Sequence, residues 1–370
     1  MMRRVTSHTS NIRTNIGQLL IIGFNGAEMT PRLASLLRRV QPAGVILFAR
    51  NIRSAAQTWR LLRECQKCVG APLFKCVDLE GGTVDRLRDV LEPTPSAADV
   101  FATGDGELFR KHGQIIGESC RACGFNVDFA PVLDLAFEAS SSVIGSRTVS
   151  ANPGETTRYA REFLAGLHAA RVLGCGKHFP GLGEGRLDSH NELPVIEKPL
   201  NKIWAEDMLP YRALRAQLPF VMVAHAAYPQ VTKDRVPASL SKILISDILR
   251  KRMKYRGLIV SDDLEMGGVR TTVTVGRAAV EFVRAGGDLC LVCHHEEFVN
   301  EAYEALVKTA ASDTRFARRV AGAAGGVLAH KKQWTRILRA GEGARATPAM
   351  VEKLTRRLWE FDEAVRLEKL

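Results

Sequence analysis

The chain has 370 residues, a formal net charge of +12, 46% apolar residues and 25% charged residues. This length allows one large domain or two smaller ones, and the composition is that of a folded globular protein, which excludes a disordered chain. Lys and Arg are spread along helix-patterned segments, and aromatic residues make up only 6%. The charge therefore indicates a solvated basic surface that would favour acidic substrates or anionic lipids, and we expect no nucleic-acid partner.

Residues 1–15 are polar, and the apolar run at 19–24 is too short and too late for the core of a signal peptide. No apolar run approaches the length of a membrane span. We therefore expect a cytoplasmic protein with no membrane span, and a monomer as the default.

Six of the eight cysteines form Cys-x-x-Cys pairs, at 65/68, 120/123 and 290/293. The last pair lies in a strand pattern, where residues i and i+3 point to opposite faces and cannot hold one ion. Buried reduced thiols are therefore favoured over a structural zinc site, and no metal is predicted.

Short apolar runs alternate with helix-length periodic segments, which is typical of βα units around a parallel sheet. The candidate strands cover 19–24, 44–48, 73–78, 127–131, 174–178, 220–225, 258–262 and 288–293. The helical patterns between them lie near 30–40, 54–69, 107–123, 153–172, 203–217, 241–254 and 275–286. This order predicts the α/β class with a single (β/α)8 TIM-type barrel, and a doubly wound open sheet is the alternative.

The end of the chain is helix-patterned over 296–312, 316–334 and 348–370. We expect a polar N-terminal segment over 1–16, a catalytic barrel over 17–300 and a helical C-terminal extension over 301–370. Because the extension is amphipathic, packing against the bottom of the barrel is its default position.

A glycine-rich stretch at 176–190 carries several ionisable side chains, and we interpret it as a long mobile loop that is neither helix nor strand. Its most informative feature for function is the pair Asp188 and His190. A carboxylate at this spacing can fix the imidazole tautomer and raise its basicity, which suits a general acid/base near neutral pH. A turn with solvated side chains is the alternative.

Barrel active sites lie at the carboxyl ends of strands, so polar residues should appear where the apolar runs stop. Five of the eight candidate strands meet this expectation. The residues concerned are Asp78, Glu80, Asp128, Asp134, Lys177, His178, His225, Asp262 and Asp263, with Arg86 and Arg147 following strands three and four. A single strand-end Asp is often only a helix N-cap, but groups from five strands at one rim indicate a site.

These groups suit double displacement at a sugar carbon, in which Asp262 attacks while His190 protonates the leaving oxygen and then deprotonates water. The chain has no phosphate loop, dinucleotide fingerprint or metal-ligand signature, and we predict no cofactor. The residues alone leave a hydrolase of a hydroxyl-rich substrate and a barrel lyase or aldolase equally open.

Ordered blocks of sequence resemble the family 3 glycoside hydrolases, and within them the bacterial β-N-acetylglucosaminidases of peptidoglycan recycling. The more specific blocks are Gly-Lys-His-Phe-Pro-Gly (176–181) and Asp-Ser-His (188–190). The other blocks are Gly-Val-Ile-Leu-Phe-Ala-Arg-Asn (44–51), Val-Asp-Leu-Glu-Gly-Gly-x-Val-x-Arg (77–86), Asn-Val-Asp-Phe-Ala-Pro-Val-Leu-Asp (126–134), Val-Ile-Gly-Ser-Arg (143–147), Val-Met-Val-Ala-His (221–225) and Val-Ser-Asp-Asp-Leu-x-Met (260–266).

The resemblance implies a (β/α)8 barrel that releases terminal β-linked N-acetylglucosamine from peptidoglycan fragments, with retention and through a covalent glycosyl-enzyme. It implies that Asp262 is the nucleophile, that His190 is the acid/base and that Asp188 is the partner of His190. The implied sugar-binding residues are Asp78, Arg86, Arg147, Lys177 and His178. Leu182 and Thr83 depart from the family pattern, which concerns rim contacts rather than the chemistry.

Three alternatives remain open. A histidine acid/base does not repel an incoming anion, so a family 3 phosphorylase that uses phosphate as acceptor is one of them, and a β-glucosidase is another. The third belongs to a different class and is a non-catalytic protein that binds wall fragments.

Overall fold

The structure, a computed structural model, describes residues 12–185, 192–340 and 345–369. Parallel strands close into a barrel in which each strand pairs with the next along the chain and the last pairs with the first. They are β1 (Leu20–Ile22), β2 (Gly44–Ile46), β3 (Phe74–Val77), β4 (Val127–Asp128), β5 (Leu173–Phe179), β6 (Phe220–Val223), β7 (Leu258–Asp263) and β8 (Leu289–Val292). The predicted (β/α)8 barrel is confirmed.

Helices surround the barrel and continue beyond β8. They are α1 (Pro31–Val40), α2 (Ala55–Cys68), α3 (Ala97–Ala102), α4 (Gly106–Cys123), α5 (Pro153–Ala169), α6 (Leu200–Ala205), α7 (Leu209–Leu214), α8 (Pro229–Thr232), α9 (Gly267–Arg270), α10 (Val275–Ala285), α11 (Glu296–Ser312), α12 (Thr314–Gln333), α13 (Thr335–Ala340) and α14 (Pro348–Glu368). A π-helix covers Ile243–Arg252, and 3-10 turns cover Ala49–Asn51, Glu138–Ser140, Gly145–Arg147 and Ala238–Leu240. The predicted helical C-terminal region is confirmed.

Some segments differ from the sequence prediction. The helix expected over 203–217 is divided into α6 and α7, because Pro210 in the first turn of α7 lacks the N–H that would continue a preceding helix. The segment expected to be an α-helix near 241–254 is a π-helix. A short antiparallel pair, Leu79–Gly81 with Val84–Asp85, follows β3 and was not predicted.

The prediction that no part of 176–190 is a strand is wrong for residues 176–179, which belong to β5, and the candidate strand over 174–178 is confirmed. Gly174 and Gly176 serve close packing there. A Cβ at Gly174 would lie 2.5 Å from Leu164 Cδ2, and a Cβ at Gly176 would lie 2.7 Å from Leu133 Cδ1. The glycines of the strand therefore provide space for packing, whereas the loop interpretation took Gly176 as a source of flexibility.

The end of α12 and the following α13 cover the amino-terminal end of the barrel. Val327, Ile337 and Leu338 pack into the same apolar cluster as the barrel side chain Phe74. Lys331 is buried there, and its Nζ donates to Gln18 Oε1 at 2.8 Å. The end of α12 and α13 thus close the bottom of the barrel and leave its top to the strand-end side chains, whereas α14 packs against α4, with Phe361 stacked on His112.

The cysteines are free thiols, and all except the half-buried Cys68 are buried, as expected. Among the residues that the structure describes, no group of three or more potential metal ligands comes together. In the same residues, no helix is both long and apolar enough to cross a membrane.

Candidate active site

A cavity of about 380 Å³ lies at the carboxyl end of the barrel, where the strand-end residues converge. The predicted catalytic and sugar-binding residues that fall in the described part of the chain all line it. They are Asp78, Arg86, Arg147, Lys177, His178 and Asp262. The parallel strands β3, β5 and β7 end at one rim, so residues far apart in the chain meet around one space.

Asp188 and His190 fall in 186–191, outside the described residues. The described chain reaches Gly185 on one side and resumes at residue 192, and Leu182 already lines the cavity. The acid/base pair therefore stays a prediction from sequence.

Four buried or nearly buried charges form a balanced network on one wall of the cavity. Glu80 accepts two hydrogen bonds from Arg147, from Nε at 2.7 Å and from Nη2 at 2.9 Å. Lys177 Nζ lies 2.6 Å from Glu80 Oε1 and 2.8 Å from Asp78 Oδ1. Burial alone would raise the pKa of Glu80, but Arg147 and Lys177 hold that pKa well below its usual range. Two cations and two carboxylates thus give a fixed array of donors and acceptors.

Asp134 fixes the orientation of His178. Its Oδ2 lies 2.7 Å from His178 Nδ1, and its Oδ1 accepts the backbone N–H of Leu182 at 2.7 Å. A carboxylate acceptor at Nδ1 places the ring proton there, which leaves Nε2 as the nitrogen available to a ligand. The same carboxylate joins β5 to the chain that follows it.

Asp262 stands at the end of β7 and accepts the N–H of Asp263 at 2.8 Å. Burial opposes its ionisation, but nearby His178 and His225, the Asp263 N–H and the Lys177 ammonium lower the pKa of Asp262 below its ordinary value. Asp262 is therefore an anion at neutral pH, which is the form that a nucleophile requires.

Asp263 has a different environment from its neighbour. Its Oδ1 accepts the N–H groups of Glu265 at 3.1 Å and of Cys293 at 3.2 Å, and its Oδ2 lies 3.2 Å from His294 Nε2. These bonds connect the end of β7 to the end of β8. Asp263 is thus committed to holding the two strand ends together.

His225, a further strand-end group noted in the sequence, does not line the cavity. It is buried, its Nε2 donates to the backbone oxygen of Asp263 at 2.9 Å, and its Nδ1 lies 2.8 Å from Ser239 Oγ. Burial lowers the pKa of His225, so the ring is neutral. It positions the segment that carries Asp262.

Three lining residues with ionisable or aromatic side chains, Phe48, Glu265 and His294, were not predicted from the sequence. The rings of Phe48 and His294 stack with centroids 5.2 Å apart, and the Arg86 guanidinium lies 5.7 Å from the centroid of Phe48. Glu265 accepts the N–H of His294 at 2.6 Å. The strand-end rule would have found His294, which follows β8 in the sequence Cys-His-His, had it been applied to the eighth strand.

The site is that of a (β/α)8-barrel enzyme with an ionised strand-end carboxylate beside a charge-balanced polar wall. Residues 11–322 match the glycosyl hydrolase family 3 N-terminal domain. The chain is 36% identical over 279 residues to a β-hexosaminidase of Idiomarina loihiensis, an alignment that covers 74% of this chain and 83% of that protein. It is also 36% identical over 307 residues to a β-hexosaminidase of Bordetella avium, covering 81% and 87%.

Among solved structures, a glycoside hydrolase family 3 β-N-acetylglucosaminidase from Paenibacillus sp. superposes with a TM-score of 0.85 at 32% identity. The superposition covers 95% of this chain and 68% of that one. The chain therefore belongs to glycoside hydrolase family 3, as its sequence blocks indicated, and is an enzyme.

Proposed function

We propose that this enzyme is a retaining exo-β-N-acetylglucosaminidase that releases terminal β-linked N-acetylglucosamine from peptidoglycan fragments. The observation that carries the proposal is the ionised Asp262 carboxylate, which faces a cavity walled by Asp78, Arg147 and Lys177. The names of the relatives, β-hexosaminidase and β-N-acetylglucosaminidase, support the sugar.

In the proposed mechanism, Asp262 attacks the anomeric carbon on the face opposite the leaving group and forms a covalent glycosyl-enzyme. His190 donates a proton to the departing oxygen and later accepts one from the water that releases the sugar. Asp188 would hold the imidazole in the required tautomer. A neutral histidine also avoids placing a second anion beside an anionic leaving group.

The polar wall is suited to hold a sugar rather than to react with it. Asp78 can accept from a hydroxyl group while Lys177 and Arg147 donate to the neighbouring ones, and His178 offers Nε2. Because Glu80 is buried and anchors both cations, the donors need little reorganisation when the ligand binds. Arg86 beside Phe48 would contact the sugar from the other side.

We further propose that the reaction takes place in the cytoplasm, without a cofactor and with the chain as a monomer. The free thiols of the cysteines support a reducing compartment, where disulfides are rare. Sedimentation equilibrium of the purified protein tests the monomer.

The decisive experiment measures hydrolysis of 4-nitrophenyl β-N-acetylglucosaminide and β-glucoside, with and without phosphate. Wild type, Asp262→Ala and the surface control Asp89→Ala are compared. We expect release from the N-acetyl substrate alone, independent of phosphate, lost in Asp262→Ala and unchanged in Asp89→Ala. NMR of the first product formed should show the β-anomer. Full activity of Asp262→Ala would refute the assignment of the nucleophile.

Further variants separate the remaining alternatives. His190→Ala should lower turnover by roughly 10²–10⁴-fold, the usual contribution of general acid/base catalysis. Sugar 1-phosphate formed only with phosphate would indicate a phosphorylase, and preference for the glucoside would indicate a β-glucosidase. Release of N-acetylglucosamine from purified muropeptides tests the natural substrate.

A further inference from the structure

A second cavity, of about 580 Å³, lies on the opposite end of the barrel from the active site. One wall is the face of α5 that carries Arg161, Leu164 and His168, which share a face because they are spaced by three and four residues. The segment before β6 and the segment before β7 form the floor. The other wall is the end of α12 with His330, followed by Trp334.

Three arginines, Arg161, Arg215 and Arg256, are among the residues that line this cavity. Within the described ranges no acidic residue lines the cavity, and neither Arg161 nor Arg256 has an ion-pair partner. Arg215 donates to the backbone oxygen of Arg212 at 2.6 Å. In the active site, by contrast, Arg147 is neutralised by Glu80. The second cavity therefore carries uncompensated positive charge, which attracts an anion.

The rest of the lining is mixed, with Gln217 and Gln333 beside apolar residues, and it includes one aromatic wall. Leu164, Leu218 and Pro219 contribute aliphatic surface, and Trp334 meets His168 edge-to-face with centroids 5.7 Å apart. Burial lowers the pKa of His330, so at neutral pH the positive charge comes from the arginines. A flat or aliphatic body would fit between the tryptophan and the leucines while its anionic end faced the guanidinium groups.

We propose that this cavity is a binding site for a small soluble molecule with an apolar or aromatic body and a phosphate or carboxylate group. A planar membrane surface fits the geometry less well, because the arginines line a concave cavity. The large apolar side chains that protrude most from the described surface, such as Met350, Trp359 and Leu367, do not line it.

Phenyl phosphate is a suitable probe, and calorimetry with the full chain measures its affinity. The test variant is the double substitution Arg161→Gln and Arg256→Gln. The matched control is Arg38→Gln with Arg60→Gln, two exposed arginines away from both cavities whose replacement removes the same charge elsewhere. Each lost guanidinium contact should weaken binding by about 10-fold or more, since hydrogen bonds to charged groups contribute that much. The control should stay within about 2-fold of wild type, as expected for exposed residues away from the site.

Two further probes define which part of the ligand is recognised. Phenol lacks the anion and inorganic phosphate lacks the body, and both should bind at least about 10-fold more weakly than phenyl phosphate. Trp334→Leu should reduce the affinity for phenyl phosphate and leave that for inorganic phosphate unchanged.

Several results would overturn the inference. Equal affinity in the test and control variants would mean that charge alone drives binding, and no measurable binding would mean that the cavity is not a site. Binding to phosphatidylglycerol vesicles without binding of phenyl phosphate would make it a membrane contact. Turnover of the aryl N-acetylglucosaminide should be unchanged in these variants, so failure here is distinguishable from failure of the proposed function.

Discussion

Replacing Glu80 with glutamine would test the charge balance of the active site. In wild type, the two carboxylates of Asp78 and Glu80 neutralise Lys177 and Arg147 in a largely buried space. The glutamine side chain keeps the size and one acceptor but leaves a net positive charge there. Removing one partner of a buried ion pair typically costs ~3–5 kcal/mol, because the remaining charge is left uncompensated.

This cost corresponds to a measurable change in melting temperature. With ~2.1 cal/mol/K of unfolding entropy per residue and 370 residues, the chain has ~0.8 kcal/mol/K, so Glu80→Gln should lower Tm by ~4–6 °C. KM should also rise by about 10-fold or more, because Lys177 and Arg147 lose the group that fixes their positions. Glu92→Gln, at an exposed carboxylate, is the control and should change stability by less than ~0.5 kcal/mol.

The pH dependence gives a second, independent check. The pKa of Glu80 is lowered in the folded protein from the usual 4.5, so its contribution to stability is present above pH 4.5 and is lost as the pH falls towards the lowered value. The difference in Tm between wild type and Glu80→Gln should therefore be full at pH 7 and shrink below pH 4.5. Scanning calorimetry measures it. A Tm and KM equal to those of Glu92→Gln at pH 7 would refute the reasoning.

Three other variants test the nucleophile, a histidine that positions it and the buried lysine at the bottom of the barrel. Asp262→Asn should reduce kcat on the aryl N-acetylglucosaminide by ~10⁴-fold or more, while calorimetric binding of N-acetylglucosamine persists; unchanged kcat contradicts it. His225→Ala should cost ~1–3 kcal/mol in urea unfolding and lower kcat more than it raises KM, because the Asp263 carbonyl loses its buried donor; wild-type kinetics would show that this bond does not position Asp262. Burial lowers the pKa of Lys331 to about 7 from 10.5. Because the unfolded chain holds this proton more tightly, the shift destabilises the folded state below pH 10.5. Lys331→Met should therefore stabilise the protein at pH 7 by ~3 kcal/mol, a figure that allows for the lost bond to Gln18. That gain should vanish as the pH rises to 10.5, and a gain independent of pH would mean that packing causes it.

Much of the fold and the described part of the site followed from two regularities. Alternating apolar runs and helical segments specify βα units, and the barrel places every strand end at one rim, so Asp78, Lys177 and Asp262 could be brought together without coordinates. A charged residue at a strand end can be recognised in the sequence because it follows a run of apolar residues.

The remainder depended on contacts between distant segments. The Asp-Asp pair itself does not show which carboxylate does what. In the structure Asp262 faces the cavity, while Asp263 bonds to the end of β8. The predicted strand over 174–178 contains Gly174 and Gly176, but the pattern did not reveal that both make room for packed leucines, because a glycine required for packing and one required for a turn look alike in sequence. The cavity beside Trp334 combines segments that have no common motif.

The closure of the barrel bottom by α12 and α13 has a consequence for biosynthesis. Lys331 bonds to Gln18 across a separation of 313 residues, and Leu338 accepts a hydrogen bond from Asn126 across 212. β1 and the interior of the barrel therefore remain open at one end until residue 331 has been synthesised, some 313 positions later. At ~5–20 residues per second, translation exposes this apolar interior for ~15–60 seconds. Pulse-chase proteolysis should find the nascent barrel protease-sensitive until that helix emerges, and chaperone contact is expected during this interval.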